Sequence, residues 1–225
     1  MIYRSNLKAP DLQPYFKHTQ CRPMPHSCGH DVLTDFADKA DDDPVFGPYK
    51  NCGFWTHDEA AILYNIAWKV GGRWADIGGL TGWTAAHLAA AGCFRVESVD
   101  PMYNNSEFHQ RTRDNLRLFP SVVTIPTISR TYFAWPVMHE GVVIDGDHDG
   151  DAPTEDAANA SLVASVVVFH DLMLLPPAAA FEWLQAQGWR SKRYWTPHGV
   201  GVCWRPDFGF TPPEHTPDPA LVPKE

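Results

Sequence analysis

The sequence predicts an α/β fold: a Rossmann-like, doubly wound sheet, mostly parallel, ending in a C-terminal antiparallel hairpin. Three observations predict it. Short apolar runs alternate with helical stretches from His57 onward, a glycine turn leads from the first run into the next helix, and the last two runs lie too close together for a parallel crossover. With 225 residues, 44 % of them hydrophobic, the chain fits one ordinary domain with an extension at each end.

Residues 1–56 are rich in Pro, His, Cys and Asp, have no sustained period, and carry a turn or linker at Asp41-Asp42-Asp43-Pro44, so they are expected as an N-terminal extension. From His57 the period becomes helical: Ala60, Ile62, Leu63, Ile66, Ala67 and Val70 share a face until Gly71-Gly72 stops the run. Strands follow at Arg73 to Ile77, Arg95 to Asp100, Ser121 to Ile125 and Gly141 to Asp145, with helices at Thr84 to Ala91, Glu107 to Phe119 and about Pro153 to Leu162. The valine-rich run Val163 to Phe169 suits a strand buried on both faces. A helix over Pro176 to Gln187 begins with Pro and ends at Gly188. The runs Arg190 to Trp195 and Val200 to Trp204 are separated only by Thr196, Pro197, His198 and Gly199, and four residues force antiparallel pairing. The core domain therefore spans 57–205, and 206–225 reads as a Pro-rich tail.

A net charge of -9, with no basic cluster longer than Arg190, Lys192 and Arg193, argues against nucleic acid or an anionic membrane as partner and favours a small-molecule acceptor. A homo-oligomer is compatible with the pattern. Five cysteines without a CxxC pair, no signal-like N-terminus and no 18-residue apolar run lead us to expect a soluble, cytoplasmic protein.

Between the first strand and the next helix runs Asp76-Ile77-Gly78-Gly79-Leu80-Thr81-Gly82, a turn that lets a ligand approach backbone N–H groups. Counting GxGxxG from Gly78 puts Leu80 and Trp83 where the second and third glycines belong, so a pyrophosphate cradle is poorly made. An acid just before the loop would repel a diphosphate and suit the ammonium of a methionine moiety. At the end of the second strand Asp100 can accept hydrogen bonds from ribose hydroxyls.

ADIGGLTGWTAAHLA followed by VESVDP resembles motif I and the post-I acid of class I S-adenosylmethionine-dependent methyltransferases. The resemblance is to the branch with macrocin-type sugar O-methyltransferases and cephalosporin-hydroxylase-like proteins, whose IDGDH and FHD signatures are similar to VVIDGDHDGDAPTEDA and VVVFHD here. It covers roughly residues 57 to 205, departing from the pattern at Leu80 and at Leu162-Val163-Ala164-Ser165. It implies S-adenosylmethionine bound by Asp76, Gly78, Gly79, Gly82 and Asp100, with Ser129 matching a serine common in that region.

Asp145, Asp147 and His148 follow the fourth strand, and His170 and Asp171 the fifth. Neighbouring strands about 4.8 Å apart would bring both groups to one carboxyl edge. Carboxylates there suit a hard divalent ion such as Mg²⁺, which lowers the pKa of a bound hydroxyl while an imidazole takes its proton. The resemblance implies metal ligands at Asp145, His170 and Asp171 and a base at His148. His170 stands where the family has an acid, and an imidazole would turn preference toward Mn²⁺, Fe²⁺ or Zn²⁺. The competing readings are a nicotinamide-dependent oxidoreductase with Asp100 on the ribose, or a binding protein that keeps the fold without turnover.

Other candidates carry less. His18, Cys21, His26, Cys28 and His30 fit no standard zinc-finger spacing and read as an ordinary loop. Phe54-Trp55 could close over a cofactor, but a packing staple for the first helix is favoured. Trp135 and Pro136 lie where an adenine pocket can form. Trp195 and His198 border the hairpin beside an acceptor site, with core packing preferred for the Trp.

Overall fold

A computed structural model describes residues 6–10, 12, 55–135, 137–216 and 222. The linker at 41–44, the Cys/His loop, Phe54 and Pro136 lie outside these residues. Helix α1 (His57–Val70) starts with a capping box: the Thr56 hydroxyl accepts the Glu59 N–H, and the Glu59 carboxylate accepts the Thr56 N–H. The chain continues through β1 (Arg73–Ile77), α2 (Trp83–Ala90), β2 (Arg95–Val99), a 3₁₀ turn (Pro101–Asn104) and α3 (Ser106–Leu116). Then come β3 (Val122–Ile125), α4 (Ser129–Phe133), β4 (His139–Ile144), α5 (Ala152–Val163), β5 (Ala164–Phe169), α6 (Leu175–Ala186), β6 (Arg190–Tyr194) and β7 (Val200–Trp204).

The seven strands form one sheet in the order β3-β2-β1-β4-β5-β7-β6, parallel except where β7 pairs with β5 and β6. Chain direction away from β1 reverses between β2 and β4, and ligands bind beside such a switch point at the strands' carboxyl ends. Register fixes what emerges there. Ile77 pairs with Ile144 and Ile144 with Phe169, so Gly78, Asp145 and His170 leave the sheet side by side. The ladder continues one bond further, with Asp145 N donating to Ile77 O at 3.0 Å and His170 N to Ile144 O at 3.2 Å.

Alternation along β5 fills two cores, which is why every residue of it but Ser165 is apolar. Val166 and Val168 join Trp74, Val143 and Val202 beneath α1 and α2, where Ile62, Leu63, Ile66 and Leu88 are buried. Val167 and Phe169 join Ala75, Val142 and Ile144 beneath α5 and α6, with Ala157, Ala160, Phe181 and Leu184. Helix α3 stops at Leu116 rather than Phe119, since the Phe119 N–H turns back to the Leu116 carbonyl to enter β3.

The segment after Arg205, expected as a tail, is docked where described. Phe210 enters the first core, the Tyr194 hydroxyl and Lys192 ammonium donate to the Pro213 carbonyl, and His215 contacts Asp58 at 2.8 Å. Part of the expected N-terminal extension also packs in: Leu12 is buried and Asn65 donates to the Lys8 carbonyl. Among the described residues no helix is long and apolar enough to cross a membrane.

Candidate functional site

The glycine loop is held from three sides. Gly78 has φ +87°, and a Cβ on it would overlap the Asp145 backbone carbonyl. Leu80, in the position usually given to glycine, also has positive φ, at 41°. Its N–H donates to Asp100 Oδ2 at 2.9 Å and its carbonyl accepts from the Thr112 hydroxyl at 3.0 Å. Asp100 Oδ1 accepts the Met102 N–H at 2.8 Å, so this acid ties the loop to the end of β2. Gly79 lies against Ser98 and Tyr103, and Gly82, at φ +88°, caps α2. We expect Gly78→Ala to cost about 2–5 kcal/mol, the sum of a left-handed alanine and an overpacked backbone contact. Urea denaturation measures it, and a loss under 1 kcal/mol would mean the loop yields readily.

Asp76 is fully buried in β1. The Ser98 hydroxyl donates to its Oδ2 at 3.3 Å, while Oδ1 has no hydrogen-bond partner among the described residues. Burial and then the neighbouring Asp145 charge push its pKa up to about 8, with Ser98 and the Ala85 N–H offsetting only part of this. Among the described residues no cation pairs with this acid.

Ser129 begins α4, with its hydroxyl against Asp156 of α5, a buried acid pushed up to about 6. Trp135 lines a cavity of about 360 Å³ with Ile125, Thr127, Tyr132, Arg73 and Glu97. Glu97 accepts from Tyr132 at 2.5 Å and pairs with Arg73. Despite burial, these contacts bring its pKa down to about 2. A second cavity of about 310 Å³ lies against β3, lined by Arg113, Leu116 and Phe119. Both are separate from the acid and histidine group after β4 and β5.

That group is compact. His170, with no exposed surface, places Nδ1 3.1 Å from Asp145 Oδ1 and 3.3 Å from Asp171 Oδ2, and Nε2 3.3 Å from Glu59 Oε2. Burial alone would depress its pKa, but the Asp145 and Asp171 charges win and hold it well above the usual value. His148, from the loop after β4, has Nε2 3.5 Å from Asp145 Oδ1 and 3.4 Å from Asp171 Oδ2, without hydrogen-bond geometry to either. Burial raises Asp145, but His170 and His148 reverse this and hold it well below the usual carboxylate range. Asp171 has φ +56°, a conformation costly for a non-glycine residue. Asp147 instead turns outward to accept the Asp149 N–H.

One partner, Glu59, escapes the sequence reading, and Trp55 and His198, both named there, take contacts it did not assign. Glu59, fully buried, accepts from the His198 N–H at 2.9 Å, contacts His198 Nδ1 at 3.0 Å and faces His170. Its signal was the Thr-x-x-Glu spacing, which predicts only a cap. Trp55 packs in the same core as Ala60, yet also stacks on His170 at 4.2 Å and donates Nε1–H to Asp145 Oδ2 at 2.6 Å. His198 therefore belongs to the acid network, whereas Trp195 is half-buried beneath the Arg193 guanidinium.

The residue set Asp145, His170 and Asp171 does not fit a divalent ion as ligands. Each nitrogen of the His170 ring faces a carboxylate oxygen, so an ion would gain a lone pair there only by displacing a ring proton from between the acids. His148 can replace His170 in a grouping with Asp145 and Asp171, whose ligand atoms lie within 4.8 Å of one another.

Neither a family model nor a curated protein matches the chain. Solved structures do. An O-methyltransferase from Bacillus cereus, in complex with S-adenosylhomocysteine, is 12 % identical over 78 % of this chain and 89 % of its own, with a TM-score of 0.54. A precorrin-6y C5,15-methyltransferase from Geobacter metallireducens is 14 % identical, covering 67 % and 89 %, also at 0.54. A precorrin 8w decarboxylase from Methanobacterium thermoautotrophicum is 15 % identical, covering 68 % and 91 %, at 0.53. At such identities the likeness concerns the fold, and the fold of this chain is the Rossmann-like sheet shared with class I S-adenosylmethionine-dependent methyltransferases.

Proposed function

We propose that this chain binds S-adenosylmethionine over the ends of β1 and β2 and transfers its methyl group to a hydroxyl of a small-molecule acceptor. One observation carries the reading: Asp76, buried beneath the glycine loop, has an unpartnered oxygen and a pKa raised to about 8. A methionine ammonium supplies the cation this acid lacks and lets it ionise, whereas a diphosphate brings no counter-charge to it. When bound, S-adenosylmethionine supplies an electrophilic methyl group on a sulfonium.

The chain's own residues then have three tasks. Gly78 to Gly82 bring backbone close to the donor, and Asp100 meets the ribose while bracing Leu80. His148 takes the acceptor's proton. Its Nε2 faces Asp145 and Asp171, which orient the ring and stabilise its charged form, leaving Nδ1 as the nitrogen that accepts the proton. Attack on a methyl carbon otherwise needs mainly alignment of the two reactants.

Calorimetric titration with S-adenosylhomocysteine and with NAD tests the reading. We expect one S-adenosylhomocysteine per chain and no heat from NAD. Binding of NAD alone would replace this reading with an oxidoreductase. Binding of S-adenosylhomocysteine without methyl transfer across a panel of hydroxylated compounds would favour a binding protein.

A further inference from the structure

We propose that His170 is a built-in cation, occupying the place between the strand-end acids Asp145 and Asp171 that a divalent ion would take, so that this chain works without one. The last clause rests on the methyltransferase reading; the placement of the cation does not.

The contacts make the case. Nδ1 of His170 bridges Asp145 Oδ1 and Asp171 Oδ2, at 3.1 and 3.3 Å, and Nε2 meets Glu59 Oε2 at 3.3 Å. A neutral imidazole has one donor and one acceptor nitrogen, and the acceptor would point a lone pair at a carboxylate, so this ring is protonated on both sides. It cannot turn away to free a nitrogen. Trp55 lies nearly parallel to it at 4.2 Å and 13°, His198 packs at 5.2 Å, and no part of the ring is exposed.

The acids are committed too. Asp145 Oδ2 already takes the Trp55 indole N–H at 2.6 Å, and the oxygens converging on His148 are the same two that His170 bridges. A divalent ion held by Asp145, His148 and Asp171 would therefore share its oxygens with an imidazolium and be repelled by it. Glu59 completes the arrangement. Projecting from α1 across 111 residues of sequence, it gives the buried cation a second counter-charge.

Mn²⁺ titration of the full chain, previously treated with chelator, is the test, read by the electron paramagnetic resonance of free Mn²⁺ and by the melting temperature. For the wild type we expect neither the free-ion signal nor the melting temperature to move at equimolar Mn²⁺. Uptake of one equivalent per chain would overturn the proposal. His170→Asp, which puts an acid in place of the cation, is expected to bind Mn²⁺ at least tenfold more tightly and to gain melting temperature with it. If that variant does not fold, His170→Asn removes the charge and takes its place. A folded variant that binds no better than wild type would also overturn the proposal. Selective ¹⁵N-histidine labelling gives an independent readout: one ring, absent from the variant, keeps both nitrogens protonated with or without Mn²⁺, and a lone pair on that ring would contradict us. None of these measurements depends on S-adenosylhomocysteine binding, so a failure of the methyltransferase reading stays separate.

Discussion

Replacing Glu59 by alanine is expected to destabilise the fold by about 3–5 kcal/mol, the usual result of removing one partner from a buried ion pair. That corresponds to a melting temperature lower by roughly 6–20 °C for a chain of this size. The loss is large because several donors are stranded together: the Thr56 and His198 amides, and the ring nitrogens of His170 and His198 that face the carboxylate. Glu59→Gln keeps the shape and some acceptors without the charge, so it should fall between the two.

The effect has a pH signature. Burial raises the Glu59 pKa, but hydrogen bonds from His170 and His198 outweigh it and hold the carboxyl well below its ordinary 4.5. Its contribution is thus complete above about pH 4.5 and is lost as pH falls through the folded value. For His170 the folded pKa is raised above 6.5, so its contribution is complete below that pH and fades as pH rises through the folded value. The wild-type minus variant difference should therefore peak between about pH 4.5 and 6.5 in denaturation curves. A difference of about 1 kcal/mol, flat with pH, would reduce Glu59 to an ordinary helix cap.

Much of the sheet is legible because its signals are local. The valine-rich run ending at Phe169 and the four-residue link before Val200 each constrain topology without knowledge of the rest. Helix α4, with five residues, is too short to display a period and goes unseen. The edge holding Asp145, His148 and Asp171 is likewise readable, since strands of one parallel sheet deliver their trailing residues to the same side. What their side chains do is not. Whether His170 lends a lone pair or carries a proton depends on Glu59 and Trp55, which approach from the start of α1, and nothing within the FHD segment reports them. Leu80 gives a similar lesson: its left-handed backbone is held by Asp100 and Thr112, twenty and thirty-two residues away.

His148→Gln is expected to lower kcat by about 10²–10⁴-fold, the range for losing a positioned general base, while leaving S-adenosylhomocysteine affinity unchanged. Glutamine fills similar space, so the loss would isolate proton transfer rather than packing. Burial alone would lower the His148 pKa, but the nearby carboxylates of Asp145 and Asp171 prevail, placing it above 6.5. Because the neutral ring is the base, the wild-type rate should rise with pH through that raised value and then level off. The same carboxylates that orient the ring thus make it a stronger base, and the positive His170 behind them limits how far they do so. In the variant this rising limb should vanish, leaving a slow rate with no dependence on pH in that range. A variant that keeps both its rate and the limb would move the base elsewhere and leave His148 as a strut between two acids.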